Sequence, residues 1–392
     1  MASTENDVIH AGPPPLPDAT ATAPARLATR LAFFAAGFSM ACCAPLFPFF
    51  KDNVGADKAE FGLLLLCLGL GSIIAMPAIG VMAARRGARP LILLGGFGLV
   101  AVLPLLALAG SPWALGAGLF LFGAALGTID VAMNVHGAEI EGLEKRPLMS
   151  NFHAFWSIGG FFGAGLITAL LSLSVPVFVC AALGAATVLL AMLVARPRLL
   201  SVAGKAPDPF ALPRGIVLLL AVLTGITFLV EGAVLDWGAL LIIDRNLTAA
   251  ESAGIGYILF SAAMLVARLT GDRLVAKIGG FATLVLGGVT TMVGLGVVIA
   301  GPVVWVSLSG FVLIGLGAAN LVPVLFSAAG RQSVMPPGIA IAAVTTTGYA
   351  GILLGPALIG VVSNATSLIA AFWLLALLIL AVPLSARWVA RV

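Results

Sequence analysis

The sequence predicts an all-α membrane protein with twelve transmembrane helices arranged as two similar halves of six. Three observations predict this fold class: the composition, the spacing of the apolar segments and an internal repeat. The chain has 392 residues, of which 61% are hydrophobic and 9% are charged, and its mean hydropathy is +1.16. Because soluble domains carry about 25% charged residues, so apolar a chain requires lipid rather than water around it.

The apolar residues fall into segments of the length that a membrane helix needs, which is about 20 residues. A polar segment rich in proline and basic residues divides them into six and six. We therefore predict an N-terminal half at 26–196, a cytoplasmic linker at 197–213 and a C-terminal half at 214–392. The predicted helices lie at 27–50, 60–83, 90–109, 113–138, 148–173, 175–195, 214–243, 250–276, 280–300, 302–330, 338–364 and 367–388.

The internal repeat is visible when the first half is shifted by 192 residues, because glycines then coincide in five helix pairs without a gap. Small residues at matched positions let helices pack closely, and parallel six-helix repeats are one arrangement of secondary transporters. The coinciding pairs are Gly62/Gly254, Gly87/Gly279, Gly95/Gly287, Gly96/Gly288, Gly118/Gly310, Gly123/Gly315, Gly159/Gly351 and Gly163/Gly355.

The distribution of basic residues predicts the orientation in the membrane. With the N-terminus inside, all but three of the 20 Lys and Arg residues fall on the cytoplasmic side, the exceptions being Lys51, Lys58 and Arg245. Cytoplasmic loops carry such an excess of Lys and Arg. We therefore expect a multi-pass protein of the cell inner membrane with both termini in the cytoplasm. Residues 1–25 lack the basic start of a signal peptide and have the composition of a disordered tail.

Composition and motifs disfavour other classes of protein. The pI is about 9.1, but the basic residues lie between apolar segments rather than in one patch, so no nucleic-acid partner is expected. The four cysteines lie inside apolar segments without metal-ligand spacing, and we expect neither a metal nor a cofactor. The chain also lacks a nucleotide-binding loop, a His-Glu-x-x-His motif and a nucleophile elbow, which argues against an enzyme.

The loop after the second predicted helix carries a family signature. Gly80, Arg85, Gly87 and Arg89 match the pattern G-x-x-x-D-R-x-G-R-R, whereas Ala84 stands where the pattern has Asp. The chain therefore resembles the major facilitator superfamily, and the resemblance implies the major facilitator fold. In that family the acid of the signature helps to lock the cytoplasmic side when the carrier faces outward, so its replacement puts this latch in question.

The equivalent loop of the second half contains a different charged set, Arg268, Asp272 and Arg273. These residues could form a cytoplasmic gate of their own. The alternative is that they anchor the loop at the inner membrane surface and form one ion pair.

Three further segments narrow the resemblance within the superfamily: 130–136, 150–159 and 231–237. Together they look like the branch that contains the rhizopine permease MosC and the carrier YbjJ, a distant relative of the fucose–proton symporters. The resemblance implies transport of sugar-like or cyclitol-like molecules. Fucose-type symporters pair an acid in helix four with one in helix one. Asp130 matches the first, but helix one holds no acid, so their two-acid mechanism cannot be carried over whole.

Ionisable residues inside a bilayer usually face a cavity or a partner, and three are candidates for proton coupling: Asp130, Glu231 and His153. Asp130 and Glu231 lie deep in their helices, whereas His153 lies near the inner start of helix five, where Asp130 could be its partner. A structural role between helices or at the interface is the alternative for each. His136 and Glu139 lie nearer the cytoplasmic end of helix four, and we expect both at the surface.

The predicted substrate cavity takes polar and aromatic residues from both halves. Asn134 follows Asp130 by four residues and so shares its helix face. Tryptophan faces can stack on sugar-like rings, although tryptophans also favour membrane interfaces. Asp236, near the outer end of helix seven, is expected at the mouth of the cavity, with a structural role at the helix end as the alternative. The candidates are Asn134, Trp156, Asp236, Trp237, Asn320 and Tyr349.

These features predict a secondary transporter that moves a small polar solute, sugar-, polyol- or cyclitol-like, together with protons by alternating access. A proton-coupled exporter or antiporter of a small molecule or drug is the alternative. Antiporters of that kind usually carry an Arg in helix four and a Gly-Pro bend in helix five, and this sequence has neither. We expect a monomer whose partners are the solute, protons and the lipid bilayer.

Overall fold

The computed structural model describes residues 19–200, 212–247 and 255–392. All regular structure within these ranges is helical. Most of the predicted tail, 1–18, and most of the predicted linker, 201–211, lie outside the described residues. Residues 19–25 belong to the first helix, so the helical part of the chain begins before the predicted boundary at residue 26.

Eleven helical segments of the described ranges are long and apolar enough to cross a membrane, and one of them makes two passes. We number the twelve passes α1 to α12. They are α1 Ala19–Asn53, α2 Lys58–Arg86, α3 Arg89–Leu106, α4 Pro112–Glu144, α5 Met149–Ser172, α6 Val177–Ala195, α7 Ile216–Asp244, α8 and α9 within Ile255–Ala300, α10 Val304–Arg331, α11 Pro337–Ala365 and α12 Leu368–Val389. The predicted twelve-helix fold class is therefore confirmed.

Gly279 divides the long segment into α8, at 255–278, and α9, at 280–300. Its backbone has φ 78° and ψ 164°, a left-handed conformation that glycine adopts without steric cost. Gly87, which lies 192 residues earlier, separates α2 from α3 with φ 77° and ψ 169°. The internal repeat therefore extends to the backbone conformation of this turn.

Glycines at other matched positions let helices touch through their backbones. A Cβ added to Gly123 in α4 would collide with the carbonyl of Leu68 in α2. In the second half, a Cβ on Gly315 in α10 would collide with the carbonyl of Phe260 in α8. Since Leu68 and Phe260 are also related by the shift of 192 residues, the repeated glycines mark the same helix contact in each half.

One face of the bundle carries the start of α1, the end of α12 and the turns 87–88, 145–148 and 332–336, and we call it the terminal face. The two halves meet through α2 against α11 and α5 against α8. A Cβ on Gly338 would lie 2.9 Å from the Gly80 carbonyl oxygen and 3.0 Å from the Ala84 nitrogen. The halves are thus in backbone contact near the terminal face.

Two sequence-based placements are wrong. The helix α4 continues to Glu144, six residues past its predicted end, and neither His136 nor Glu139 lies at the surface as predicted. His136 is fully buried, and Glu139 is half-buried with a buried carboxylate oxygen. The charged set of the second half, Arg268, Asp272 and Arg273, lies inside α8 rather than in a loop, in keeping with the predicted helix at 250–276, and the turn itself comes at Gly279.

Candidate functional site

Asp130 of α4 is a buried acid that accepts a hydrogen bond from a side chain of its own helix. The residue is 7% exposed. The Nδ2 atom of Asn134 donates to the Asp130 carboxylate, Oδ1, at 3.1 Å and to its backbone carbonyl at 2.9 Å. The pairing expected from the four-residue spacing is present, because residues one turn apart face the same direction.

Tyr349 brings the second half to the same carboxyl group. This residue lies on α11, and its hydroxyl group interacts with the Asp130 carboxyl group. Both side-chain partners of Asp130 are therefore neutral, and one comes from each half. The Oδ1 atom of Asn134 is buried and has no hydrogen-bond partner among the described residues, which leaves an acceptor available beside the acid.

Glu231 of α7 differs from Asp130 because it faces a base. Its Oε2 atom lies 3.8 Å from Nη2 of Arg268 on α8, and the two side chains are 16% and 7% exposed. Its other oxygen, Oε1, is buried without a hydrogen-bond partner in the described part of the chain. The distance is longer than that of a charge-assisted hydrogen bond, about 2.8 Å, so the pair is loosely closed and the acid keeps one free acceptor.

Arg268 makes two further hydrogen bonds that no sequence pattern indicated. Its Nε donates to the Ala319 carbonyl oxygen at 3.2 Å, and its Nη1 donates to Ser157 Oγ at 3.1 Å. Ser157 lies on α5, in the other half of the protein. The prediction that placed Arg268 in a gate loop is therefore corrected: it is an interior residue that contacts α7, α10 and α5.

His153 lies beside aromatic rings rather than beside Asp130. Its ring centroid is 5.1 Å from that of Phe33 and 5.6 Å from that of Phe326. The Nε2 atom is buried and has no hydrogen-bond partner within the described ranges. The suggested pairing of His153 with Asp130 is not formed in this conformation.

The remaining cavity candidates are not gathered at one point. Trp156 and Trp237 are half-buried and Asp236 is exposed. The Trp237 indole nitrogen is buried without a partner among the residues described. Asn320 is buried where α10 is interrupted between Ala318 and Leu321, and its Nδ2 donates to the Ala267 carbonyl oxygen at 3.4 Å.

Carboxylates from both halves hold the start of α5 at the terminal face. The N-cap residue Leu148 makes no side-chain cap, so the first backbone N–H groups of the helix need other acceptors. Asp272 of α8 accepts from Ser150 N at 3.0 Å and from Asn151 N at 3.2 Å. An acid of the second half therefore caps a helix of the first half.

Glu141 of α4 completes this cap from within the first half. It accepts from Leu148 N at 2.8 Å and from Met149 N at 3.1 Å. Its Oε1 also lies 3.4 Å from Nη1 of Arg331 at the end of α10. Sequence reasoning missed Glu141, Arg331 and Ser157; for Glu141 the eleven-residue spacing from Asp130, which returns to the same helix face, was the available signal.

The signature loop of the first half closes by packing instead of charge. Gly80 and Ala84 lie against Gly338 of α11, and Gly87 supplies the turn described above. Arg85 is exposed and Arg89 is half-buried. Because Ala84 occupies the position of the signature's acid, this contact contains no carboxylate from α2.

His136 has a structural environment. Its Nδ1 lies 2.8 Å from Thr29 Oγ1 on α1, and its Nε2 accepts from Leu200 N at 3.0 Å. The Thr29 hydroxyl donates its hydrogen to the Ala25 carbonyl oxygen, so towards His136 its oxygen acts as an acceptor. The proton of His136 is therefore assigned to Nδ1. His136 thus fastens the start of the connection between the halves to α1 and α4.

No group of three or more His, Cys, Asp or Glu residues that could hold a metal ion occurs within the described ranges. The buried polar groups described above instead form two sites between the halves. One is Asp130 with Asn134 and Tyr349, and the other is Glu231 with Arg268 and Ser157.

Comparison with known proteins identifies the family. Residues 30–338 match the model of the Major Facilitator Superfamily. The chain belongs to this superfamily. It is 43% identical over 368 residues to an uncharacterized MFS-type transporter of Yersinia pestis, which covers 93% of this chain and 96% of that protein. It is also 28% identical over 348 residues to the membrane protein MosC of Rhizobium meliloti, covering 87% and 84% of the two chains.

A solved structure agrees with the architecture. The outward conformation of the transporter FucP superimposes with a TM-score of 0.77 at 17% identity, covering 94% of this chain and 99% of that one. At this identity the likeness establishes the fold alone. Together with the family match, it makes this chain a multi-pass membrane transporter and not an enzyme, as predicted.

Proposed function

We propose that this superfamily member is a secondary active transporter that carries a small polar solute together with protons by alternating access. The observation that supports this most is the environment of Asp130, a buried acid whose side-chain partners, Asn134 and Tyr349, are neutral. A buried carboxylate without a basic partner is costly to keep ionised. A proton removes that cost, and water access from either face allows the proton to be loaded and released.

Free hydrogen-bond acceptors and a solved structure of the same fold support a sugar-like, polyol-like or cyclitol-like solute in this proposal. Buried carbonyl and carboxylate oxygens of Asn134, Glu231 and Asn320 lack partners among the described residues, and such oxygens bind hydroxyl groups of a solute. FucP is a fucose:proton symporter. That activity belongs to a protein of the same fold, and it motivates the choice of solutes to be tested.

The terminal face is the cytoplasmic face in this proposal, so both termini lie on the cytoplasmic side of the cell inner membrane. Backbone contact of Gly80 with Gly338 closes one side of the interface. Asp272 at the start of α5 closes the other. In this proposal, a carrier that is closed at the terminal face presents its Asp130 site to the opposite, external face. The proposed working unit is a monomer.

Reconstituted liposomes with an internal pH indicator test the proposal. Sugars, polyols, cyclitols, amino acids and cationic dyes are added outside to the parent and to Asp130→Asn. We expect one uncharged solute to acidify the interior of parent liposomes, and at least about a hundredfold slower proton entry in Asp130→Asn, in keeping with loss of a positioned proton-transfer group.

The control is Asp52→Asn, which neutralises an acid at the end of α1 whose side chain is 75% exposed and pairs with Lys51 at 3.1 Å. It should leave solute-driven proton entry unchanged. Equal proton entry in the parent and in Asp130→Asn would remove Asp130 from the coupling mechanism. Proton movement in the opposite direction, elicited by cationic dyes and by no uncharged solute, would instead establish the alternative, an exporter that exchanges its substrate for protons.

A further inference from the structure

Arg268 is anchored at a break in α10 that a proline creates. In a continuous helix the carbonyl of Ala319 would accept from the backbone nitrogen of residue 323. Residue 323 is Pro, which has no N–H to donate, and α10 is interrupted between Ala318 and Leu321. The Ala319 carbonyl oxygen is thereby released from the helix and becomes a fixed acceptor inside the bundle.

Two reciprocal hydrogen bonds join α8 to this break. Arg268 Nε donates to the Ala319 carbonyl oxygen at 3.2 Å, and Asn320 Nδ2 returns a bond to the Ala267 carbonyl oxygen at 3.4 Å. Both bonds lie within the second half. They fix the position of the guanidinium group and leave its two terminal nitrogens, Nη1 and Nη2, to contact other residues.

The terminal nitrogens of Arg268 have partners in different halves. Nη2 lies 3.8 Å from Glu231 Oε2 within the second half, whereas Nη1 donates at 3.1 Å to Ser157 Oγ on α5 of the first half. The Ser157 hydroxyl itself donates to the His153 carbonyl oxygen at 3.4 Å, so its oxygen is oriented to accept. The buried guanidinium group of Arg268 thus contacts both Glu231 of α7 and Ser157 at the contact between the halves.

We propose that Arg268 is a positioning residue that links the charge of Glu231 to the closure of the terminal face through Ser157. Glu231 Oε1 has no partner within the described residues, so a proton or a hydrogen-bond donor of the solute can attach there. Neutralising Glu231 leaves the Arg268 cation buried without its counter-charge, which is costly. Separation of α8 from α5 admits water to the guanidinium group and relieves that cost, so neutral Glu231 favours the open terminal face.

This inference rests on the proposed function only in treating the chain as an alternating-access carrier. It requires neither a proton gradient nor a known solute. Its test is therefore a distance measurement on the purified full-length protein, and it can fail while the proton-symport proposal succeeds, or succeed while that proposal fails.

Spin labels on Arg86→Cys at the end of α2 and Lys277→Cys at the end of α8 report the distance between the halves at the terminal face. Both positions are exposed. The half-buried Cys67 is replaced by Ser, while Cys42, Cys43 and Cys180 are buried and remain. The populations of short and long distances give the ratio of closed to open molecules in lipid nanodiscs without solute.

We expect Ser157→Ala and Glu231→Gln each to raise the open-to-closed ratio about fivefold, the size expected for one hydrogen bond or partner lost at an interface. The matched control is Ser172→Ala, which removes an α5 hydroxyl whose hydrogen bond among the described residues is to the Ala169 carbonyl oxygen of the same helix. It should leave the ratio unchanged. A parent-like ratio in Glu231→Gln would overturn the proposed link, because the charge of Glu231 would then not reach the interface.

A second background tests whether Ser157 acts through Arg268. In Arg268→Met/Glu231→Gln both charges are gone and no buried charge is stranded. Ser157→Ala should then have no effect on the open-to-closed ratio. An equal shift in the parent and in this background would show that Ser157 closes the interface independently of Arg268 and would overturn the proposal.

Discussion

At the scale of residues, the buried acids of the two halves differ in their electrostatic surroundings. Asp130 is held by neutral Asn134 and Tyr349, whereas Glu231 faces Arg268. Removing one member of a buried ion pair strands the other charge, while replacing both members costs far less. Glu231 and Arg268 should therefore be energetically coupled, whereas Asp130 can be neutralised alone at little cost to stability.

This difference predicts the thermal stability of charge variants. Arg268→Met alone should lower the free energy of unfolding by about 3–5 kcal/mol, since Glu231 loses its counter-charge. The double variant Arg268→Met/Glu231→Gln should regain about 2 kcal/mol of that loss. Thermal unfolding of the purified proteins in detergent measures both, and Asp130→Asn serves as the neutralised acid without a base. A double variant no more stable than Arg268→Met would show that the two charges do not interact.

At the scale of elements, interruptions of helices have distinct uses. Gly279 makes a turn between two passes, and Pro323 frees a carbonyl that Arg268 uses. Arg245, one of the few basic residues predicted on the outer side, closes another helix end, because it donates at 2.7 Å to the Val298 carbonyl oxygen and at 2.7 Å to that of Gly301. Cations near helix C-termini are stabilising, which gives this arginine a local role.

The positive φ of the turn between α8 and α9 predicts a cost for any side chain there. Gly279→Ala should lower the free energy of unfolding by about 1–2 kcal/mol, because a Cβ is strained in the left-handed region. The control Gly62→Ala lies within α2, where a Cβ meets no atom within 4 Å. It should be neutral or stabilising by up to about 1 kcal/mol. Parent-like unfolding of Gly279→Ala in detergent would mean that the turn relaxes without strain.

At the scale of the whole molecule, the two pseudo-symmetric contacts at the terminal face are closed by different means. Between α2 and α11 the backbones of Gly80 and Gly338 touch, with Ala84 in place of an acid. Between α5 and α8 a carboxylate, Asp272, caps a helix start in the other half. When the halves separate, the second contact leaves the backbone N–H groups of Ser150 and Asn151 without their acceptor. Opening this contact therefore costs the free energy of those hydrogen bonds.

This asymmetry predicts that Asp272→Ala opens the terminal face. Loss of an N-cap costs about 1 kcal/mol, which corresponds to about a fivefold rise in the open-to-closed ratio reported by labels at Arg86 and Lys277. The exposed neighbour Arg273→Ala is the control and should not change the ratio. If Asp272→Ala stays as closed as the parent, the cap does not hold the halves together.

The passes and their repeat followed from the sequence by itself. Hydropathy is a local property, because about 20 consecutive apolar residues suffice to span lipid. The matched glycines Gly87 and Gly279 likewise indicate two equivalent turns, because glycine adopts a positive φ without steric cost. The neighbourhood of Asn134 and Asp130 was equally predictable, since helix periodicity fixes which residues one turn apart meet.

Only the tertiary structure decided which charges meet across helices. Arg268 was predicted in a cytoplasmic loop from its sequence neighbours, yet the approach of α7, α10 and α5 buries it beside Glu231 and Ser157. Asp272 accepts a hydrogen bond from the backbone N–H of Ser150, more than a hundred residues away in the chain. His153 packs against Phe33 instead of pairing with Asp130. Hydrogen bonds and ion pairs act over a few ångströms, so their partners depend on how distant helices pack, which no local pattern specifies.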